Sequence, residues 1–508
     1  MKVLLIGAHA GNCTDLNEQA YKEGVVLAPS LGLHRLAGYL RKRDIFVDVL
    51  DPNLGNPKPV ISNGDFDIIG FSPTHHTLEY DMALAYYAQK VNPNVLLIAG
   101  GIEATFNFRQ IFDISPISII IIGEGENPLL DICRGKNIRD IKGLYFRDGE
   151  DVKFTGYRSV FSQEEFNKVS MNIDFRHIPY ETYWDHLEDR KNVPGKHTLR
   201  LFTANRCPLG CSFCSSTNFL NYSSGCPASV AFLSPSNITR LIKEGVRYHP
   251  STDSVFFNDD SFTLNRKRVA EFCLLAKKDK ILASVKYLCL SKVEDMSRSL
   301  LEIMAQAGFV LIGYGVESFS KRQLAEFRKT RNIQKIHDTI HDTLAVGIIP
   351  YLNIILTSPD CTVNDISITV DECVKYAEKG AEISMVLYTW AYPGCSFLDI
   401  DKKECIVEKT QIPITDKSFL KSTRFIIKNP QVKKIIEQLD LEKKRELIKR
   451  KYGFKRIYAK LNSLILLYTL SQILNPDNIE ILDKIFLRYS LCDNKKEQKH
   501  YMPKPDAI

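Results

Sequence analysis

No stretch of this 508-residue chain is apolar for long enough to cross a bilayer. The opening run Met1-Lys2-Val3-Leu4-Leu5-Ile6-Gly7 and the later run from Leu464 to Leu470 come nearest. The first also falls short of the apolar segment of a secretory signal. Without such a signal the thirteen cysteines read as reduced thiols of a cytoplasmic protein, not as a disulfide framework. A surplus of one charge is missing from most of the chain as well. Residues 1–400 hold 43 Lys+Arg against 46 Asp+Glu, so the formal +7 arises in residues 401–508, with 24 against 14. What is present is an ordinary globular composition, 44% hydrophobic and 25% charged, at a length that predicts two to four domains.

One local concentration of chemistry stands out. In Asn205-Arg206-Cys207-Pro208-Leu209-Gly210-Cys211-Ser212-Phe213-Cys214 three cysteines fall within eight residues, spaced C-x3-C-x2-C. Soft thiolates on so short a turn are natural ligands of an iron–sulfur cluster, and Pro208 and Gly210 suit a tightly folded loop. A fourth cysteine is lacking: Cys226 lies twelve residues past Cys214, too far to serve as an electron-transfer ferredoxin ligand. A [4Fe-4S] cluster held by three cysteines keeps one iron open. The alternatives are a zinc site or a chance group of buried cysteines. Zinc requires a fourth Cys or His, and the nearest downstream histidine is His249.

The spacing, with Phe213 just before the last cysteine, resembles the signature of the radical S-adenosylmethionine (SAM) superfamily. The resemblance implies a cluster on Cys207, Cys211 and Cys214 whose open iron binds the amino and carboxylate groups of SAM. The surrounding pattern is compatible with it. His197–Ala204 reads as a strand that runs directly into the triplet, and further strands are expected at 254–262, 285–290, 309–315, 350–357 and 382–388, with helices between them. Six β–α units suggest the partial (βα)6 barrel of that family, whose working face lies at the strand ends. Asp259 and Asp260 close the second strand, and Gly315-Val316-Glu317-Ser318 looks like the family's GxE element. The resemblance therefore assigns Phe213, Asp259, Asp260, Glu317 and Ser318 to SAM. Asp259 or Asp260 capping the following helix is an equal alternative. Lys329 and Arg331 read as exposed cations at a helix edge.

Residues 1–150 alternate short apolar runs, at Lys2–Ile6, Phe46–Leu50, Asp67–Phe71, Val95–Ala99 and Ser118–Ile122, with amphipathic segments such as Leu31–Arg41 and Leu78–Val91. That pattern predicts an α/β, flavodoxin-like, doubly wound parallel sheet that binds ligands beyond the carboxyl ends of its strands. The ends carry Gly7 and His9, then Ser72 and Thr74, then Gly100 and Gly101, then Gly123, Glu124 and Gly125. Together with the Ser30–Leu40 run they resemble the cobalamin-binding domain that precedes many radical SAM domains. The resemblance implies that these residues line the cobalamin. The DxHxxG motif that supplies a histidine to cobalt in other cobalamin enzymes is absent: position 7 is Gly and position 12 is Asn. His9 is accordingly read as a loop histidine, not a cobalt ligand.

The expected organisation is a cobalamin-binding domain at 1–150, a linker with short elements at 151–195, a radical SAM partial barrel at 196–400 and a mainly helical domain at 401–508. Between Lys443 and Lys460 nine Lys/Arg face one acid, Glu446, which reads as a solvated helix face in preference to a polyanion site; nucleic acid and membrane are not expected partners. The resemblance implies a cobalamin-dependent radical SAM methyltransferase with three cofactors: a [4Fe-4S] cluster, SAM and cobalamin. Its partners would be a small-molecule substrate and an electron donor such as flavodoxin or ferredoxin. A cyclase or oxidising enzyme without methyl transfer, and a non-catalytic cobalamin or cluster sensor, are the alternatives.

Overall fold

The computed structural model describes residues 1–8, 28–185, 195–400, 405–454 and 459–494. They divide into two compact units. One draws on Met1–Leu187, Arg200–Ser251 and Ala391–Thr423; the other draws on Glu188–Leu199, Thr252–Trp390 and Arg424–Ile508.

The first unit is built on a seven-stranded sheet. Strands β1 (Lys2–Ile6), β2 (Phe46–Leu50), β3 (Ile68–Phe71), β4 (Leu96–Gly100) and β5 (Ile119–Ile121) are followed by a hairpin of β6 (Leu144–Asp148) and β7 (Asp151–Phe154). The order is β2-β1-β3-β4-β5-β6-β7; the pairs among the first five are parallel, and β5–β6 and β6–β7 are antiparallel. The near-continuous apolar runs have a direct cause: β3 and β5 are buried at every position, because helices cover both faces of a parallel sheet. The helix Leu78–Val91 turns Met82, Ala83, Ala85 and Ala88 into this core.

The boundary expected near residue 150 falls in the β6–β7 turn. The stretch expected as a linker packs instead as part of the unit. The helix Gln163–Ser170 opens with a Ser162–Glu165 capping box, and Phe166, Phe175, Tyr180 and Tyr183 are fully buried.

A second sheet orders six strands as β13-β12-β11-β10-β9-β8. They are β8 (Thr198–Leu201), β9 (Ser254–Phe257), β10 (Lys286–Ser291), β11 (Phe309–Glu317), β12 (Ile349–Ile355) and β13 (Glu382–Val386). Pairings from β9 through β13 are parallel and in sequence order, which is the arrangement of a partial barrel. β9 stops at Phe257, so Asn258, Asp259 and Asp260 lie in the loop after it.

Helices fill most of the tail, at Pro430–Glu437, Leu441–Tyr452, Ala459–Leu474 and Asn478–Asn494. Ser463 Oγ accepts the Met385 amide at 3.0 Å, and Lys460 pairs with Glu382, so the third of these helices closes against β13. The tail also holds a hairpin, β14 (Cys405–Gln411) and β15 (Ser418–Phe425). Its Ile412 and Phe419 belong to the core of the seven-stranded sheet, with 0% and 6% exposure.

Candidate functional site

The triplet follows β8 on a loop whose backbone is pinned at both ends. Asn205 exchanges hydrogen bonds with Ala231, and the Cys214 amide donates to the Cys211 carbonyl at 3.1 Å. Gly210 sits at φ +69, a left-handed conformation that glycine adopts without a Cβ clash, and its amide donates to Thr217 Oγ1. The chain then enters the helix Ser216–Ser224. On the far side Phe397 N donates to the Ser212 carbonyl, and Asn218 Nδ2 to the Gly394 carbonyl at 2.6 Å. Cys207 and Cys211 are buried and Cys214 is half-buried, whereas Cys226 is exposed.

Arg206 anchors the entry of the loop. Its guanidinium donates to Asn221 Oδ1, to the Ala228 carbonyl and to the Thr217 carbonyl. Among the described residues no three His, Cys, Asp or Glu side chains are grouped around a single-ion site. A cluster makes a different demand, since each thiolate binds a different iron and the thiolates stand farther apart.

The acidic candidates lie in the other unit. Asp259 is buried beside Arg268, 3.9 Å away, and Asp260 is exposed. Neither caps the following helix: Asn265 does, accepting the Arg268 amide. Asn258 contributes a buried side-chain oxygen with no hydrogen-bond partner among the described residues.

Glu317 ends β11 at φ +65, where the register with β12 shifts. Its carboxylate is buried, which raises its pKa, while Lys329 Nζ, 3.3 Å away, pulls it back down. Lys329 is thus not the exposed helix-edge cation expected from the sequence. Its side chain is 13% exposed, because the chain folds back after the short helix Lys321–Glu326 and carries it to Glu317. Arg331 does remain exposed. A Cβ at Gly315 would lie 2.7 Å from Glu317 Oε1 and 3.0 Å from Lys329 Nζ, so the bare glycine makes room for the pair. Ser318 is fully buried, its hydroxyl shared with Thr369 Oγ1 and the Ser320 amide.

The cobalamin candidates follow the parallel strands of the first unit, on its carboxyl edge. Gly7 follows β1, Ser72 and Thr74 follow β3, Gly100 ends β4 and Gly101 opens the helix after it, and Gly123, Glu124 and Gly125 follow β5. His9 lies outside the described residues. Thr74 Oγ1 is 3.0 Å from Thr77 Oγ1. Gly123, at φ +71, lacks a side chain for a reason within the chain: a Cβ there would overlap Ser223 on the helix after the triplet.

Glu124 Oε2 accepts the Phe161 amide at 2.7 Å, while Oε1 is buried without a hydrogen-bond partner among the described residues. Burial, reinforced by Glu126, pushes its pKa up to about 7. Two further groups on this edge carried no sequence signal. His75 contacts Glu103 at 3.3 Å and the Ser422 carbonyl at 2.5 Å, and His76 Nε2 is 2.9 Å from Tyr392 Oη. Two of these partners, Ser422 and Tyr392, lie more than three hundred residues away.

A doubly wound sheet preceding a sequentially ordered six-stranded parallel sheet, with a cysteine triplet after its first strand, defines the class: a radical SAM fold joined to a nucleotide-type sheet domain. Residues 201–373 match the radical SAM superfamily model and residues 25–132 the B12-binding domain model. The chain belongs to the cobalamin-dependent radical SAM enzymes, whose cofactors are a [4Fe-4S] cluster, SAM and cobalamin.

It is 26% identical over 408 residues to an uncharacterized methyltransferase of Pyrococcus horikoshii, covering 78% of this chain and 82% of that one. To the anaerobic magnesium-protoporphyrin IX monomethyl ester cyclase of Cereibacter sphaeroides it is 30% identical over 266 residues, half of this chain and 40% of that one. The fold resembles that of the cobalamin-dependent S-adenosylmethionine radical enzyme OxsB, solved with aqua-cobalamin and S-adenosylmethionine: TM-score 0.67 at 15% identity, over 97% of this chain and 80% of that one. No described helix is long and apolar enough to cross a membrane.

The residues present suit these groups. Two buried cysteines and a half-buried third share one anchored loop beside a buried cation, as an anionic cluster requires. Glu317 offers a carboxylate in a largely dry setting, which suits an ammonium. The carboxyl edge of the first sheet is lined with small residues that let a flat macrocycle approach the backbone.

Proposed function

We propose that the protein is a cobalamin-dependent radical SAM methyltransferase acting on a small-molecule biosynthetic intermediate. The observation that carries this reading is the anchored triplet in one chain with a glycine-edged parallel sheet. Cys207, Cys211 and Cys214 hold three irons, and Phe213 packs beside them. Glu317, with Asp259, Asp260 and Ser318, shapes the SAM site, where Lys329 orients the Glu317 carboxylate. Gly7, Ser72, Thr74, Gly100, Gly101, Gly123, Glu124 and Gly125 form the proposed cobalamin edge, and His9, two residues after Gly7 in the sequence, is proposed with them. When bound, the cluster and SAM supply a radical able to take hydrogen from an unactivated carbon, and cobalamin supplies a transferable methyl group. The proposed domains are cobalamin-binding at 1–150, a segment at 151–195 whose described residues up to 185 pack with that domain, the barrel at 196–400 and a mainly helical part at 401–508. The reading places the protein in a reducing cytoplasm with a flavodoxin- or ferredoxin-like reductant. Buried free thiols at Cys273, Cys289 and Cys373 accord with that compartment.

The identity to a cyclase favours a second reading, ring formation without methyl transfer. Turnover with methyl-deuterated SAM separates the two. Deuterated methyl in the product is the expected result; a product formed with 5′-deoxyadenosine release but without label excludes methyl transfer and leaves the cyclase reading.

A further inference from the structure

Among the described residues no carboxylate balances the charge beside the triplet. Arg206 precedes Cys207 and is 7% exposed. Its three hydrogen-bond acceptors, Asn221 Oδ1 at 2.6 Å and the carbonyls of Ala228 at 2.5 Å and Thr217 at 3.1 Å, are all neutral. Its Nε is buried with no hydrogen-bond partner among the described residues. Among the described residues it forms no ion pair with a carboxylate, and the next residue along the chain is Cys207. A buried cation without a counter-charge is costly. Thiolates on a cluster would supply the missing negative charge, and reduction of the cluster would add one more unit of it.

We propose that Arg206 is the resident counter-cation of the cluster. It is a positioning residue that ties the entry of the loop to the helix Ser216–Ser224. Its fixed charge also stabilises the reduced cluster relative to the oxidised one. Net charge near a cluster is among the factors that set its potential. The inference rests on the triplet being the cluster site.

The test is an EPR-monitored redox titration of the anaerobically reconstituted full chain, with iron and sulfide content measured alongside. Wild type, Arg206→Gln, Arg206→Lys and Asn221→Ala are compared. Arg206→Gln is expected to shift the one-electron equilibrium against the reduced cluster by at least tenfold, equivalent to 59 mV. Arg206→Lys keeps most of the wild-type position, and Asn221→Ala, which loosens the clamp but keeps the charge, moves it less than Arg206→Gln. An Arg206→Gln protein with full iron content and less than a twofold change overturns the proposal, as does an equal shift in Asn221→Ala. If Arg206→Gln holds no cluster, Arg206→Lys decides: wild-type iron content supports the counter-cation, and loss there too reduces Arg206 to shape alone. A wild-type chain that takes up no cluster would instead refute the assignment of the triplet.

Discussion

Glu317 combines two costs that a structural residue would not need. It holds a left-handed backbone conformation, worth of order 1–3 kcal/mol for a non-glycine residue, and it buries a carboxylate. Lys329 and the bare Gly315 offset part of the second cost. Gly315→Ala places a methyl group against both partners, and is expected to weaken SAM binding about tenfold or more, roughly 1.4 kcal/mol, while cluster content stays at the wild-type level. Equilibrium dialysis with SAM alongside iron analysis reads both; unchanged affinity would remove Glu317 from the SAM site.

Glu124 makes a separate prediction about pH. Its folded-state pKa, about 7, lies above the ordinary 4.5. Between those values the folded protein keeps a proton that the unfolded chain has released, so stability falls as pH rises through the window. The loss is on the order of 3 kcal/mol, and is complete above about pH 7. Glu124→Gln stays neutral, keeps an acceptor for the Phe161 amide, and is expected to be more stable than wild type at pH 8 and equal to it at pH 4.5. Denaturation at those two pH values checks this, and parallel wild-type and mutant profiles would refute it.

Among the elements, the β14–β15 hairpin has the clearest structural consequence. Besides Ile412 and Phe419, it is held by Lys421 against Glu79 at 2.8 Å, by Gln110 against the Leu420 carbonyl, and by His75 against the Ser422 carbonyl. Ile412→Ala is expected to cost about 2–5 kcal/mol. Hydrogen exchange should then show lost protection in the hairpin and in residues 72–79, with β10–β12 unaffected; protection unchanged in both places would show that the hairpin is not anchored there.

The parallel strands of both sheets were legible because apolar runs bounded by glycine and proline carry their own signal, whereas the antiparallel β6 and β7 were not read. Lys2–Ile6 and Phe46–Leu50 coincide with their expected bounds, and β3 to β5 differ by a residue or two. The hairpin was not legible. Its strands, Cys-Ile-Val-Glu-Lys-Thr-Gln and Ser-Phe-Leu-Lys-Ser-Thr-Arg-Phe, carry no clean alternation and are mostly half-buried, and the sheet they serve lies some three hundred residues earlier. Lys329 was misread for a similar reason, since only the backbone reversal after residue 326 turns it inward. Arg206 had no period to betray it, and only its adjacency to Cys207 marked it.

At the scale of the whole molecule, neither compact unit is a continuous stretch of sequence. The candidate ligands all lie before residue 391, so a shortened chain ending at Trp390 would carry the full set of them. The structure argues that such a chain fails. It would lack Ala391–Thr423, and with it two core side chains of the seven-stranded sheet, each worth roughly 1.5–3 kcal/mol of burial. It would also lack the helix Ala459–Leu474, whose Ser463 and Lys460 satisfy Met385 and Glu382 on the edge strand β13. Exposed edges and apolar faces of that kind aggregate. A chain ending after residue 428 restores the first loss but not the second. It is therefore expected to keep a cooperative transition for the first unit and cobalamin absorption after reconstitution, while binding a hydrophobic dye through its open barrel edge. The chain ending at Trp390 should show neither the transition nor stoichiometric cobalamin. A monodisperse 1–390 protein that takes up cobalamin as the full chain does would show that the sheet holds its ligand edge without the hairpin, and that the tail belongs to substrate handling alone.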